Sequence, residues 1–330
     1  MLSLSAFRIS TSLAVMRRTA PFLVFRLLVY AGIAAAYVMA TGAGAGIGYG
    51  IGSFWEDETR FSASFYGAAA GFGLVGAVLY LLREYILYIV KAGHIAVMVE
   101  LLQGREIPGG QGQIAYARAR VTERFGTSNI LFGIDQLVKG VITAVTGLME
   151  GLLSILPIPG LDRLASILRS YLKIAVGLMD EVMLAYCFDN REEDPYTASR
   201  TALVLYAQNA RPLMISAAWV TAWVWLLSLV VFLVMLVPAG TIVWLMPGQV
   251  SAGGFVFAIL FAWAFKVAII EPFAIACMLQ AYFQQTAGQT PNPEWEARLD
   301  QASDKFKSLG QRAGAWVGAR MGFGAKGETA

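Results

Sequence analysis

The sequence predicts an all-α fold: a polytopic integral membrane helical bundle of six transmembrane helices, or four if two ambiguous segments lie in the interface, with amphipathic helices added. Three observations predict it. Apolar residues make up 57% of the 330 and charged residues only 14%, whereas a soluble domain covers its surface with roughly 25% charged residues. The mean hydropathy is +0.61. Charge is also absent from whole stretches: Leu27–Trp55, Phe61–Leu82 and Pro212–Phe265 contain no Asp, Glu, Lys or Arg. This excludes disorder and argues against an ordinary soluble enzyme.

The chain divides into a leader (1–20), a helical membrane domain (21–283) and an amphipathic tail (284–330). The leader holds Arg8, Arg17 and Arg18, four serines and no acid. Its composition resembles a mitochondrial transit peptide, but an uncleaved cytoplasmic leader of a bacterial inner-membrane protein is the preferred reading. A spanning helix needs about 20 mainly apolar residues, and only a helix satisfies its own backbone in hydrocarbon. The charge-free runs therefore predict spans at about 24–47, 64–90, 213–237 and 253–283, the long run dividing at Pro238-Ala239-Gly240 and Pro247-Gly248. Segments 130–156 and 161–188, joined by Pro157-Ile158-Pro159-Gly160, are apolar but carry Asp135, Lys139, Glu150, Asp162, Arg163, Arg169, Lys173, Asp180 and Glu181. Each is amphipathic, so they either span facing a bundle interior or lie in the interface. Lys and Arg near the span ends place both termini in the cytoplasm, with an even number of spans.

Glycines alternate from Gly42 to Gly52. Their Gly-x-x-x-Gly spacings predict close helix packing rather than a hinge, and the order is not that of a dinucleotide site. In the tail, Pro293 with Glu294 and Glu296 marks a helix start. Trp295, Leu299, Ala302, Phe306, Leu309, Ala313 and Trp316 then form one apolar seam. That tail helix, 294–323, is expected to dock on the chain itself, on lipid head groups, or on a second copy or partner subunit.

The expensive residues carry the functional expectation. Lys266 and Glu271 interrupt an apolar helix ahead of Pro272, and intramembrane ions normally face a partner or water. They lie five apart, ~140° around an α-helix, so each is expected to seek another helix: Lys266 with Asp180 or Glu181, and Glu271 with Lys173. Pro272 cannot donate to the carbonyl of Ala268, which leaves that carbonyl free beside a carboxylate, a candidate cation or proton site. Lys173, Asp180, Glu181, Lys266 and Glu271 are thus the candidate polar lining of a transporter or channel-like protein for a small ion or amphiphile. The alternative is a membrane assembly or scaffold protein whose interior charges fix helix pairing. The single histidine, His94, is expected to be a hydrogen-bonded helical residue rather than a proton relay. Two separated cysteines, Cys187 and Cys277, exclude a disulfide framework. No nucleophile–base order, phosphate loop or metal-binding spacing occurs, so neither enzyme activity nor a cofactor is expected. A net charge of +3 gives no reason to expect nucleic acid. The expected partners are the lipid bilayer and, through the tail, another subunit.

Overall fold

The structure, a computed structural model, describes residues 7–82, 87–109, 112–125, 133–134, 136–141, 178–245 and 251–327. Among them every regular element is helical: α1 (Ile9–Arg18), α2 (Ala20–Gly52), α3 (Asp57–Leu82), α4 (Tyr88–Leu102), α5 (Gly112–Phe125), α6 (Met179–Asp189), α7 (Pro195–Gln208), α8 (Ala210–Leu245), α9 (Ser251–Phe265), a π-helical turn (Lys266–Ile270), α10 (Glu271–Thr286), α11 (Pro293–Ala302) and α12 (Asp304–Gly327). Four stretches are long and apolar enough to cross a membrane: Ala20–Gly52, Asp57–Tyr80, Ala210–Ile242 and Gly254–Thr286. These correspond to the four spans expected from the charge-free runs. Of the two ambiguous segments, 133–134, 136–141 and 179–188 are helical, and the remainder lies outside the described residues.

One boundary differs from the sequence reading. α3 begins at Asp57, because Asp57 and Glu58 in its first turn favour the positive end of the helix dipole. Of the expected span 64–90, α3 covers the part up to Leu82 and α4 begins at Tyr88, while 83–86 lie outside the described residues.

The described chain folds into two compact units. One gathers Ala20–Val90 and Trp223–Phe273; the other gathers Met1–Thr19, Lys91–Ala222 and Ala274–Ala330.

In the first unit, α2 and α3 pack backbone to backbone. A Cβ on Gly44 would lie 2.1 Å from the carbonyl oxygen of Gly67, and one on Gly67 would lie 2.0 Å from that of Gly44. Gly48 and Gly71 meet Ala63 and Ala40 in the same way, at 2.1 and 2.0 Å. Ser64 Oγ adds a buried hydrogen bond of 3.1 Å to the carbonyl of Ala45. The alternating glycines are therefore two interleaved rows: Gly44, Gly48 and Gly52 face α3, while Gly46 and Gly50 face open space. The remaining core joins Tyr30 and Ala34 of α2 to Ala239, Phe257, Ala258, Leu260 and Ala264. Large apolar side chains stay exposed on these helices, among them Leu28, Met39, Phe65, Leu229, Val234 and Phe255, as on surfaces that meet lipid or another protein.

In the second unit α4 is the central rod. Every residue from Ala92 to Glu100 is buried, which suits a helix apolar on all sides. α7 starts where Asp194 Oδ1 accepts from the N–H groups of Tyr196 and Thr197, both at 3.0 Å, with Pro195 in the first turn. α11 starts as the sequence suggests, on Asn292 and Pro293.

The tail is not one continuous helix. Ser303 adopts an extended conformation (φ −146°, ψ 114°), and its hydroxyl accepts from the N–H of Phe306 at 3.3 Å, restarting the chain as α12. The seam is intramolecular nonetheless: Leu299, Phe306, Leu309 and Ala313 are buried, and α11 and α12 pack on α7. Arg200 of α7 fixes this docking. Its guanidinium donates to Glu296 at 2.9 Å, to Asp300 at 2.6 Å and to the Phe306 carbonyl at 3.2 Å, and it lies 4.2 Å from the centre of the Phe306 ring. Burial alone would lower its pKa, but the hydrogen bonds and charges of Asp300 and Glu296 hold it above its ordinary value. Arg200→Lys is expected to free the tail nearly as fully as Arg200→Ala, because an ammonium cannot fork between two carboxylates and stack on a ring. Limited proteolysis near residue 303 should be several-fold faster in both variants, and an unchanged rate would show that the apolar seam alone holds the tail.

Candidate functional site

The interruption at Lys266–Ile270 has a local cause. In an α-helix the Glu271 N–H would bond the carbonyl of Val267, but here it bonds that of Lys266. The next residue is Pro272, which has no N–H. The Val267 carbonyl thus loses its backbone donor, and Arg26 Nη2 of α2 takes the place at 2.6 Å. The same nitrogen lies 3.8 Å from Glu271 Oε2. Arg26 is 1% exposed, and its guanidinium stands 6.0 Å from the Tyr30 ring. The sequence expectation named the Ala268 carbonyl; the freed carbonyl that the structure shows beside Glu271 is that of Val267, and the chain's own arginine bonds it. The α-helical period assumed for the Lys266–Glu271 spacing does not hold across the wider turn.

In the other unit, Lys91 at the start of the buried part of α4 lies 3.4 Å from Asp180 Oδ2 and 2.9 Å from Glu181 Oε1. Burial alone would raise the Asp180 pKa, but the charges of Lys91 and Lys139 and hydrogen bonds from its neighbours bring it below the ordinary value. One turn on, His94 Nε2 lies 3.1 Å from Thr19 Oγ1, in keeping with the hydrogen-bonded role expected for it.

Glu100, 2% exposed, has the most cationic partners of any acid among the described residues. Arg105 Nε and Arg191 Nη2 each bond one of its oxygens, and Arg120 Nε lies 3.7 Å away. Arg105 also donates to Asp189 at 2.9 Å, which Gln103 bonds at 2.6 Å. Arg124 completes the cluster by donating to the carbonyls of Asn190 (2.9 Å), Arg191 (3.4 Å) and Glu193, where α6 ends. A cavity of about 80 Å³ opens here between Arg120, Arg124, Arg191 and Glu193.

The sequence-predicted residues are distributed as follows. Asp180 and Glu181 meet on Lys91, and Glu271 meets Arg26. Lys266 is exposed, and among the described residues no carboxylate pairs with it. Lys173 lies outside the described residues. Sequence reasoning missed Arg26, Lys91 and Glu100. Arg26 stands at the edge of the first charge-free run, where a basic residue reads as a topological signal. Lys91 and Glu100 lie beyond the end of a presumed span, where their apolar neighbours alone marked them as costly. Both cysteines are buried at 0% exposure. Cys187 lies 3.2 Å from Ser199 Oγ, and burial pushes its thiol up to about 11.

Among the described residues no three His, Cys, Asp or Glu side chains stand close enough to hold a metal ion. Comparison with family models, with curated proteins and with solved structures finds no match to this chain.

Proposed function

We propose that this is a non-catalytic integral membrane protein of structural or assembly function, in a bacterial inner membrane, with both termini cytoplasmic. Four apolar helices and their exposed large side chains support the membrane reading. The arginines of the leader and of 105–124 support the orientation. The observation that carries the assembly reading is local charge compensation. Glu271 has Arg26, Asp180 and Glu181 share Lys91, and charges so paired fix which helices meet. Lys266 reaches out of the apolar surface on its long stem. The middle of the tail's seam, from Leu299 to Ala313, is taken up by its own chain, so a second copy or partner subunit would join its outer face, where Arg298, Lys307 and Arg312 are exposed.

A transporter or channel-like role for a small ion or amphiphile is the second reading. It is favoured by the π-helical turn with its carboxylate and by an apolar groove of about 480 Å³ lined by Leu27, Ala35, Val38, Pro238 and Phe265.

Thiol labelling separates the two. In intact membranes Cys187 and Cys277 should resist a charged, aqueous maleimide that labels a Lys307→Cys control, and both should react after unfolding. Rapid labelling of Cys277 in the folded protein would reveal a wet path and favour transport.

A further inference from the structure

The start of α8 and the start of α11 enclose a groove of about 650 Å³, within the size range of small-molecule sites. Its walls are Met214, Ile215, Ala218 and Trp219 on one side and Trp295 on the other, and its rim carries Arg211. Trp219 and Ile215 are 47% and 44% exposed, so these apolar side chains are not covered by the rest of the chain. Arg211 is exposed, and among the described residues no carboxylate pairs with it.

The groove is built rather than incidental. Gln208 donates to Gln289 at 2.9 Å and accepts from the Asn292 N–H at 2.9 Å, while Asn209 donates to Gln289 at 2.7 Å. This knot ties the α7–α8 corner to the link before α11 and so fixes where Trp295 stands. Arg298 stacks over Trp295 at 5.0 Å and pairs with Glu294 at 2.6 Å, which holds the indole and leaves Arg211 as the uncompensated charge.

We propose that this groove binds an anionic phospholipid, its acyl chain between Trp219 and Trp295 and its phosphate on Arg211. The proposal rests on the membrane reading above. The 33-residue apolar helix Ala210–Ile242 is ~50 Å long at 1.5 Å per residue, against a hydrocarbon core of about 30 Å. One end of it therefore reaches the head groups, and tryptophans and an arginine at a helix end are the side chains suited to that layer. An oily slot ending in one unpaired cation matches a molecule with an oily chain and one negative head. A zwitterionic lipid satisfies the slot and not the charge.

The test uses the full-length protein in bilayers of phosphatidylcholine with a minor fraction of brominated-chain lipid, which quenches nearby tryptophans. Brominated phosphatidylglycerol should quench one tryptophan component at a mole fraction about fivefold lower than brominated phosphatidylcholine, the preference one basic residue gives at a membrane surface. Trp295→Phe should remove that component, and Arg211→Gln should remove the preference while leaving the component. Equal quenching by both lipids, or a preference that survives Arg211→Gln, overturns the proposal. So does loss of the preference on adding inorganic phosphate alone, or crosslinking of two copies through this face. Release of the protein from membranes by alkaline carbonate would instead overturn the membrane reading, and retention without lipid preference would remove only this site.

Discussion

Gly67→Ala is expected to break the α2–α3 hairpin, although alanine is the better helix former. The new Cβ would lie 2.0 Å from the Gly44 carbonyl oxygen, a distance that only separation of the two backbones relieves. Overpacking costs typically 1–3 kcal/mol. Here the obstacle is backbone rather than a side chain that can swing away, so a loss of about 3 kcal/mol is expected. Gly46→Ala is the matched control. Nothing lies within 4 Å of its added methyl, so the ~1 kcal/mol advantage of alanine in a helix should appear as a small gain. Thermal unfolding of both variants in one detergent checks the opposite signs. If both shift the same way, the close contact at Gly67 does not hold the hairpin.

The second large effect is expected at Glu100. Glu100→Gln keeps the shape of the side chain but leaves three guanidiniums around a neutral group. Removing one partner of a buried ion pair costs about 3–5 kcal/mol. Arg105, Arg120 and Arg191 are 37%, 24% and 36% exposed, so they can turn partly to water and the lower end of that range applies. An apparent Tm lower by about 5–10 °C is the expected reading. Adding Arg191→Gln to the same chain should recover part of the loss, since it removes one of the stranded charges. Additive losses in the double variant would show that the two side chains act independently.

The part of the fold legible in sequence is the part that one dimension can encode. A run without charge needs no partner to be recognised, so the four long apolar helices follow from composition and length alone. The start of α11 was legible for a similar reason, because capping is a matter of neighbours in the chain. Ion pairing is different. That Glu271 needed a cation could be read from its surroundings, but the choice of Arg26, 245 positions earlier, depends on how α2 packs and on a π-helical turn that no periodicity reveals. Asp180 and Glu181 were singled out correctly as costly, yet their partner Lys91 was hidden by the assumption that one span ran through residue 90. The break at Ser303 was signalled by Ser303-Asp304, a helix-start pair, which the regular apolar seam concealed.

α4 has a consequence for how the chain is made. The partners of its charged residues, Lys91 and Glu100, are made at two different times. Arg105 and Arg120 leave the ribosome soon after Glu100, but Asp180, Glu181 and Arg191 follow some ninety residues later. Until those arrive, Glu100 has Arg105 and Arg120 but not Arg191, and Lys91 lacks the two acids that flank it in the folded chain. The core around α4 is therefore expected to close only once residues 179–191, some ninety positions downstream, have been made.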